Sequence, residues 1–354
     1  MKEIVDILVN NGYEAYIVGG YVRDYLLGIE SKDIDICTNA PIDTIIKLFK
    51  DRGVAHKQYY AFHIEKDGYS YDITSYRKEL RYRRNKPSEI APAKDLATDL
   101  LRRDFTINTL AIDSNGRLID ILGARKDLNA KVLKVVGDTD KKLREDKTRI
   151  IRALRFACTL DFDLSPEILE FMSTKKAHLV SEIPNEYKKR ELDKIFDSKN
   201  SYKFFFFIKR YNLEKYFNIH LNMEIYNIKE TYNRYGIWAQ IETDLPFSNK
   251  ERKIIDDIIK IIKSGDIDVN DVSKYSDDVI YNAASILNMI DKVKSLKELV
   301  TLHSIIDIDL SVGLMIKYVS ANNFKKVYRD IERKIIEGYL ANESSAIEEY
   351  LRNL

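Results

Sequence analysis

Signals for β-strand end about a third of the way along this chain, and that asymmetry limits its fold more than any other feature. Over roughly the first 120 residues, short β-branched runs alternate with amphipathic stretches, the pattern of a mixed α/β unit. EAYIVGG reads as a strand, YVRDYLLG as a helix closed by Gly28, and DIDICT as a second strand. PIDTIIKLFKDRG is a helix with Pro41 in its first turn and Gly53 past its end. AFHIEKDGYSYDITSYR is a hairpin, because Asp67-Gly68 between two alternating runs is a strong two-residue turn signal. Beyond about residue 125 the spacing turns helical, in KKLREDKTRIIRALRFACTL, in SPEILEFMSTKKAHLV and in nearly everything past Asn185. The run FFFFI at 204–208 reads as the buried side of a packed helix. With no repeat and no low-complexity linker, the helical units are expected to pack into an elongated continuous body.

A chain of 354 residues divides into two to four compact units, and 45% hydrophobic with 32% charged residues excludes wholesale disorder. No apolar run approaches the roughly 20 residues that span a bilayer. The start, MKEIVDILVNN, has acids where a signal peptide has an apolar segment, so a cytoplasmic protein without membrane contact is expected. Cys37 and Cys158 are too few for a disulfide framework or a zinc site, and both are read as reduced. A net charge of +2 does not announce a nucleic-acid partner. Charge is concentrated locally: Arg77, Lys78, Arg81, Arg83, Arg84, Lys86 and Lys94 stand against Glu79 and Glu89. An isolated run of this kind reads as a solvated loop. Its place between the motifs below makes Arg81, Arg83, Arg84 and Lys86 candidates for an RNA-facing or flexible loop.

Gly19 and Gly20 fall where a strand gives way to a helix, so backbone N–H groups there can approach a polyphosphate that a side chain would keep away. Arg23, one helical turn on, would face the same anion, and Asp24 could orient it. Asp33 and Asp35 are two apart on a strand, which puts both carboxylates on one face. Alone such a pair is a common polar strand edge. A dozen residues after a GG turn and helix, it suits a magnesium site, since hard oxygen ligands relieve the repulsion and two ions can activate a hydroxyl and stabilise a leaving phosphate. Asp72, in YDITSYR, could join them if its strand lies alongside.

GGYVRDYLLGIESKDIDICT closely resembles the first signature of the class II tRNA nucleotidyltransferase and bacterial poly(A) polymerase family. The resemblance continues through DITSYR, DLLRRDFTINTLA, REDKTRIIRALRFA and IPNEYKKREL, covering residues 15 to 195 in order, and IIEGYLANESSAIEEYL is similar to the family's tail. It implies that Asp33, Asp35 and Asp72 hold the catalytic magnesium ions, with Asp33 and Asp35 as the principal metal ligands. It implies that Gly20 and Arg23 contact the triphosphate, and that Arg103, with Asp104 and Asn108, contacts ribose and phosphates. It further implies that an arginine-rich helix carrying Asp146, Arg149, Arg152 and Arg155 reads the base; Asp146 and Arg149, three apart, would share a helical face. Cytosine and adenine each pair an amino donor with a ring-nitrogen acceptor, which a carboxylate and a guanidinium can satisfy together, whereas uracil and guanine present the opposite pattern.

The fold implied is α+β: a polymerase-β-like nucleotidyltransferase head at 1–125, an all-helical neck at 126–200 that recognises the base, and a helical body and tail at 201–354 that bind tRNA. The reaction implied is addition of C, C and A from CTP and ATP to tRNA lacking part or all of its 3′ CCA, with Mg2+ as cofactor, pyrophosphate as product and no protein partner. Alternatives within the family are a poly(A) polymerase and an enzyme adding only CC or only A. YYAFHIEKDG lacks the basic signature of the former, and YRRNKPSEI occupies the loop that is shortened in the CC-only type. A tRNA-binding relative without catalysis would have no reason to keep three carboxylates together.

Overall fold

In a computed structural model, residues 2–220, 228–301 and 308–354 are described, and the chain divides into two compact units, Met1–Ile219 and His220–Leu354. The first is built on a seven-stranded sheet. Its strands are β1 (Ala15–Val18), β2 (Asp33–Thr38), β3 (Val54–His56), β4 (Ala61–Lys66), β5 (Tyr69–Ser75), β8 (Ala111–Ile112) and β9 (Leu118–Ile119), in the order β3-β4-β5-β2-β1-β8-β9. Helix α1 (Lys2–Asn10) precedes β1, α2 (Gly20–Leu26) follows it, and α3 (Ile42–Leu48) starts on Pro41. β4 and β5 pair antiparallel across Asp67 and Gly68, whose φ values of 52° and 75° are those of the tight turn anticipated from this dipeptide. β2 and β5 pair parallel. Val18, Cys37, Tyr76, Leu100 and Ala111 are buried together on the core side.

Arg77 to Lys94, expected as a solvated or flexible loop, is instead mostly a second hairpin, β6 (Arg77–Arg83) with β7 (Lys86–Pro92), turning at Arg84 and Asn85 with φ of 52° and 63°. The sequence hides it because charge occupies both faces; only Arg77, Glu79 and Tyr82, half-buried against exposed neighbours, keep a broken period of two around a β-bulge. Arg81, Arg83, Arg84 and Lys86 are all exposed.

After α4 (Leu96–Leu101) and α5 (Ala124–Asn129) the unit becomes helical, with α6 (Thr139–Glu145), α7 (Thr148–Thr159), α8 (Pro166–Ser173), α9 (Asn185–Phe196), α10 (Tyr202–Arg210) and α11 (Glu214–Phe217). Two-residue strands β10 (Val132–Leu133) and β11 (Asp163–Leu164) pair within it. Four of the five residues of the FFFFI run are buried, Phe204 packing edge-on to Phe196 and Phe217, while Phe206 is half exposed. In the second unit α12 (Arg234–Trp238), α13 (Asn249–Ser264), α14 (Val269–Lys274), α15 (Asp277–Leu287) and α16 (Ile290–Thr301) enclose Ile258, Ile280 and Val293. There α17 (Val312–Tyr318), α18 (Phe324–Ile336) and α19 (Ser344–Arg352) enclose Ile331, Ile335 and Ile347.

Candidate active site

Parallel pairing of β2 with β5 sets Asp35 directly opposite Asp72 and Asp33 opposite Ser70. With the strand period of two, this turns Asp33, Asp35 and Asp72 to one face of the sheet. Asp33 and Asp72 are exposed and Asp35 is half-buried. Burial pushes the Asp35 carboxyl above its ordinary range; the Arg103 guanidinium opposes this, and the charges of Asp72 and Asp33 add to it. A group held this way gains from a cation. Among the described residues no three acidic, histidine or cysteine side chains form a ready-made metal cage. A hard divalent cation can be held by as few as one or two carboxylates when a bound substrate's phosphates supply its other ligands. Asp33 and Asp35 fit as that pair. Asp72 is engaged by His63 on β4, whose Nδ1 lies 2.9 Å from its Oδ1 and whose Nε2 lies 2.9 Å from Glu65.

Gly19, between β1 and α2, has φ 79° and ψ −143°, a conformation open essentially to glycine alone. A Cβ there would stand 2.5 Å from Asp35 Oδ2 and 3.0 Å from Arg103 Nη1. The missing side chain therefore lets a carboxylate and a guanidinium each come close to bare backbone. Gly20 opens α2, and Arg23, nearly buried, donates from Nη1 to Asn108 Oδ1 at 2.7 Å while pairing with Asp24. Asn108 donates to Asp104 at 3.0 Å, and Arg152 donates to the other Asp104 oxygen from Nε at 3.0 Å. Burial alone would raise the Asp104 pKa; Arg152 and the Asn108 hydrogen bond hold it far below the usual carboxylate range. One polar chain thus runs from α2 to α7. Arg103 Nε is buried with no hydrogen-bond partner among the described residues.

Asp146 does not share a helical face with Arg149. It sits in extended conformation at the break between α6 and α7, with φ −131° and ψ 98°. Its Oδ1 accepts from Thr148 N at 3.0 Å and Thr148 Oγ1 at 2.5 Å, a side-chain turn that bridges the end of one helix and the start of the next. Its Oδ2 still comes within 3.9 Å of Arg149 Nε. Arg149 is buried and donates to the Lys142 carbonyl and to Tyr82 Oη, both at 2.9 Å; Arg155 donates to Glu191 at 2.7 Å.

The structure adds residues that motif reading passed over. Asp99, fully buried on α4, accepts from the Arg77 backbone N–H at 3.2 Å and Arg102 Nε at 2.9 Å, and lies 3.6 Å from Arg103. Its signal was the i,i+4 spacing to Arg103. Tyr82 ties the β6–β7 hairpin to Arg149, and Asn85 at its tip accepts from the Lys147 N–H at 3.3 Å. Nothing in the sequence announced those long-range contacts.

Residues 15–134 match the poly A polymerase head domain. A CCA-adding enzyme of Bacillus pumilus is 42% identical over 193 residues, a match spanning about half of each protein, 54% of this chain and 48% of the relative. One from Staphylococcus aureus is 29% identical over 99% of this chain and 97% of its own length. Among solved structures, the Bacillus stearothermophilus CCA-adding enzyme in complex with CTP superposes with a TM-score of 0.77 at 22% identity, covering 99% of this chain and 96% of that one. The Thermotoga maritima CCA-adding enzyme complexed with tRNA gives 0.68 at 20% identity, covering 99% and 94%. Among the described residues no helix is long and apolar enough to cross a membrane.

Proposed function

This chain belongs to the tRNA nucleotidyltransferase and poly(A) polymerase family, and from that premise we propose that it adds C, C and A to tRNA lacking its 3′ end, using CTP and ATP without a nucleic-acid template. The observation that carries this reading is the in-register placement of Asp35 and Asp72 beside the side-chain-free Gly19 and the Arg103 guanidinium. Similarity to CCA-adding enzymes along nearly the whole chain supports it over a poly(A) polymerase.

In this reading residues 1–125 carry out transfer, 126–200 recognise the base and 201–354 hold the tRNA. Asp33 and Asp35 would hold magnesium, which when bound aligns the triphosphate and favours attack by the tRNA 3′-hydroxyl on the α-phosphorus. Arg23 and Arg103 bring fixed positive charge to the phosphates, and the Asn108–Asp104–Arg152 chain keeps Arg23 oriented toward them. Asp72, held by His63, lies on the same face as a further carboxylate for the attacking hydroxyl. Catalysis here is positioning and charge stabilisation, because phosphoryl transfer asks little covalent chemistry of the protein. Asp146, at the break between α6 and α7, and Arg149, whose guanidinium would exchange a protein partner for the base, would supply the acceptor and donor that cytosine and adenine require. A cytoplasmic location goes with these substrates and with two free, buried cysteines.

The test is incubation of the purified protein with magnesium, CTP, ATP and tRNA lacking its last three nucleotides, followed by sequencing of the product ends. Ends reading CCA are expected. A run of A, or ends stopping at CC, would replace this reading with one of its relatives.

A further inference from the structure

Three arginines that the sequence motifs assign to the nucleotide, Arg23 to the triphosphate and Arg152 and Arg155 to the base, converge on one aromatic ring. Phe156, on α7, is nearly buried at 4% exposure, and its edge-to-face contact with Phe105, centroids 5.7 Å apart at 85°, fixes the ring's orientation. The Arg155 guanidinium carbon stands 3.9 Å from the Phe156 centroid, that of Arg23 4.9 Å and that of Arg152 5.6 Å. All three lie within the roughly 6 Å over which an aromatic face attracts a cation.

Such crowding needs compensation. Each guanidinium has its own carboxylate, Asp24 for Arg23, Asp104 for Arg152 and Glu191 for Arg155. These acids lie apart along the chain, Asp24 on α2, Asp104 in the segment after α4 and Glu191 on α9. The ring is what all three arginines share. Arg23 arrives from α2 beside the sheet, whereas Arg152 and Arg155 come from α7 itself, so the phosphate-facing cation and the base-facing cations meet on a single face-bearing group. Burial and the neighbouring Arg152 charge hold the Arg155 pKa below its ordinary value, as expected where like charges are close in a site shielded from water.

We infer that Phe156 is a positioning residue for the nucleotide: through the negative potential of its ring it holds Arg23, Arg152 and Arg155 converged before the nucleotide arrives. The inference rests on the transferase reading for its substrate. It goes further in giving an apolar core residue a role in binding a charged ligand, since arginines already held in place lose less freedom when nucleotide binds.

Fluorination separates this role from packing, because fluorine withdraws density from the ring face while changing its size little. Wild-type protein and variants carrying singly, doubly and triply fluorinated phenylalanine at position 156 are titrated with CTP and ATP, and their thermal stability is followed in parallel. The dissociation constant should rise with each added fluorine, roughly fivefold to tenfold over the series, with little change in melting temperature. Phe156→Leu, which keeps apolar bulk and loses the quadrupole, should bind at or beyond the weak end. Affinities that stay flat across the fluorinated series, or that fall only in step with melting temperature, overturn the inference. So does a wild type that binds neither nucleotide. The product ends formed on truncated tRNA by the wild type report on the transferase reading separately: CCA ends with a flat fluorine series would leave that reading standing and remove this one.

Discussion

Replacing Gly19 by alanine should damage the chemistry far more than the fold, and the structure says by how much. The backbone there has φ 79° and ψ −143°, so any L side chain adds strain on the order of 1–3 kcal/mol. The new Cβ would lie 2.5 Å from Asp35 Oδ2, a separation that must open to at least 3.0 Å. The neighbours are a carboxylate on the central strand β2 and the Arg103 guanidinium, so the shift falls on groups proposed to hold metal and phosphate. Misplacement approaching 1 Å costs on the order of a hundredfold in rate, and a shift of about half that predicts a fall in kcat of some tenfold or more. Gly28→Ala is the control: φ there is 70°, yet nothing lies within 4 Å of the added carbon. Both variants should melt a few degrees below wild type, and only Gly19→Ala should lose activity. The assay is single-turnover CMP incorporation with saturating tRNA and CTP, alongside thermal denaturation. A folded Gly19→Ala protein with wild-type kcat would refute the argument that this glycine is demanded by the site, and equal losses in both variants would assign the effect to backbone strain alone.

Other perturbations probe other parts of the molecule. Asp35→Ala should abolish incorporation of both nucleotides while tRNA affinity, measured by filter binding, stays near wild type; residual CMP addition within tenfold of wild type would count against a metal role. Asp146→Ala should lower the CTP-over-UTP ratio of kcat/KM by about 2 kcal/mol through loss of a charged acceptor, on top of about 1 kcal/mol of stability from the lost Thr148 hydrogen bonds; an unchanged ratio with both rates reduced would leave only the structural role. Lys188 is buried, donates to the Tyr216 carbonyl at 2.8 Å, and has its pKa lowered by burial to about 8. The unfolded chain therefore holds the extra proton between about pH 8 and the ordinary lysine value of about 10.4, and stability should rise with pH across that window. Lys188→Met should flatten the rise in denaturant melts, and an identical profile in both proteins would show that the lysine is not responsible.

Much of the head was legible because its signals are local. The period of two in DIDICT, the Asp67-Gly68 turn and Pro41 before an amphipathic run each specify geometry within a few residues, and β2, the β4–β5 turn and α3 lie where those signals put them. The common face of Asp33 and Asp35 followed from strand parity alone. What stayed hidden depends on partners distant in sequence or on competition between local signals. Tyr82 meets Arg149 across 67 residues, and no pattern within either segment encodes that bond. Asp146 lies in a stretch with continuous helical periodicity, yet its short side chain reaches the Thr148 amide from an extended backbone as it could not from inside a helix. The β6–β7 hairpin escaped notice because strand patterns are recognised by one apolar face, and this ribbon has none.

The parallel pairing of β2 with β5 makes the carboxylate cluster depend on parity rather than on chain length. Everything from Asn39 to Gly68 is a crossover between two neighbouring strands. Its length can change without moving Asp72 relative to Asp35, provided β5 enters the sheet in the same register. A single residue lost within β5 before Asp72 would instead bring Ile73 opposite Asp35, because Tyr71, Asp72 and Ile73 alternate between faces. Tyr71 and Ile73 are buried, so such a slip would also turn core side chains toward water and a carboxylate into the core. The hydrophobic interior of the sheet thus acts as an error check on the active site: a chain that misaligns its acids also fails to fold.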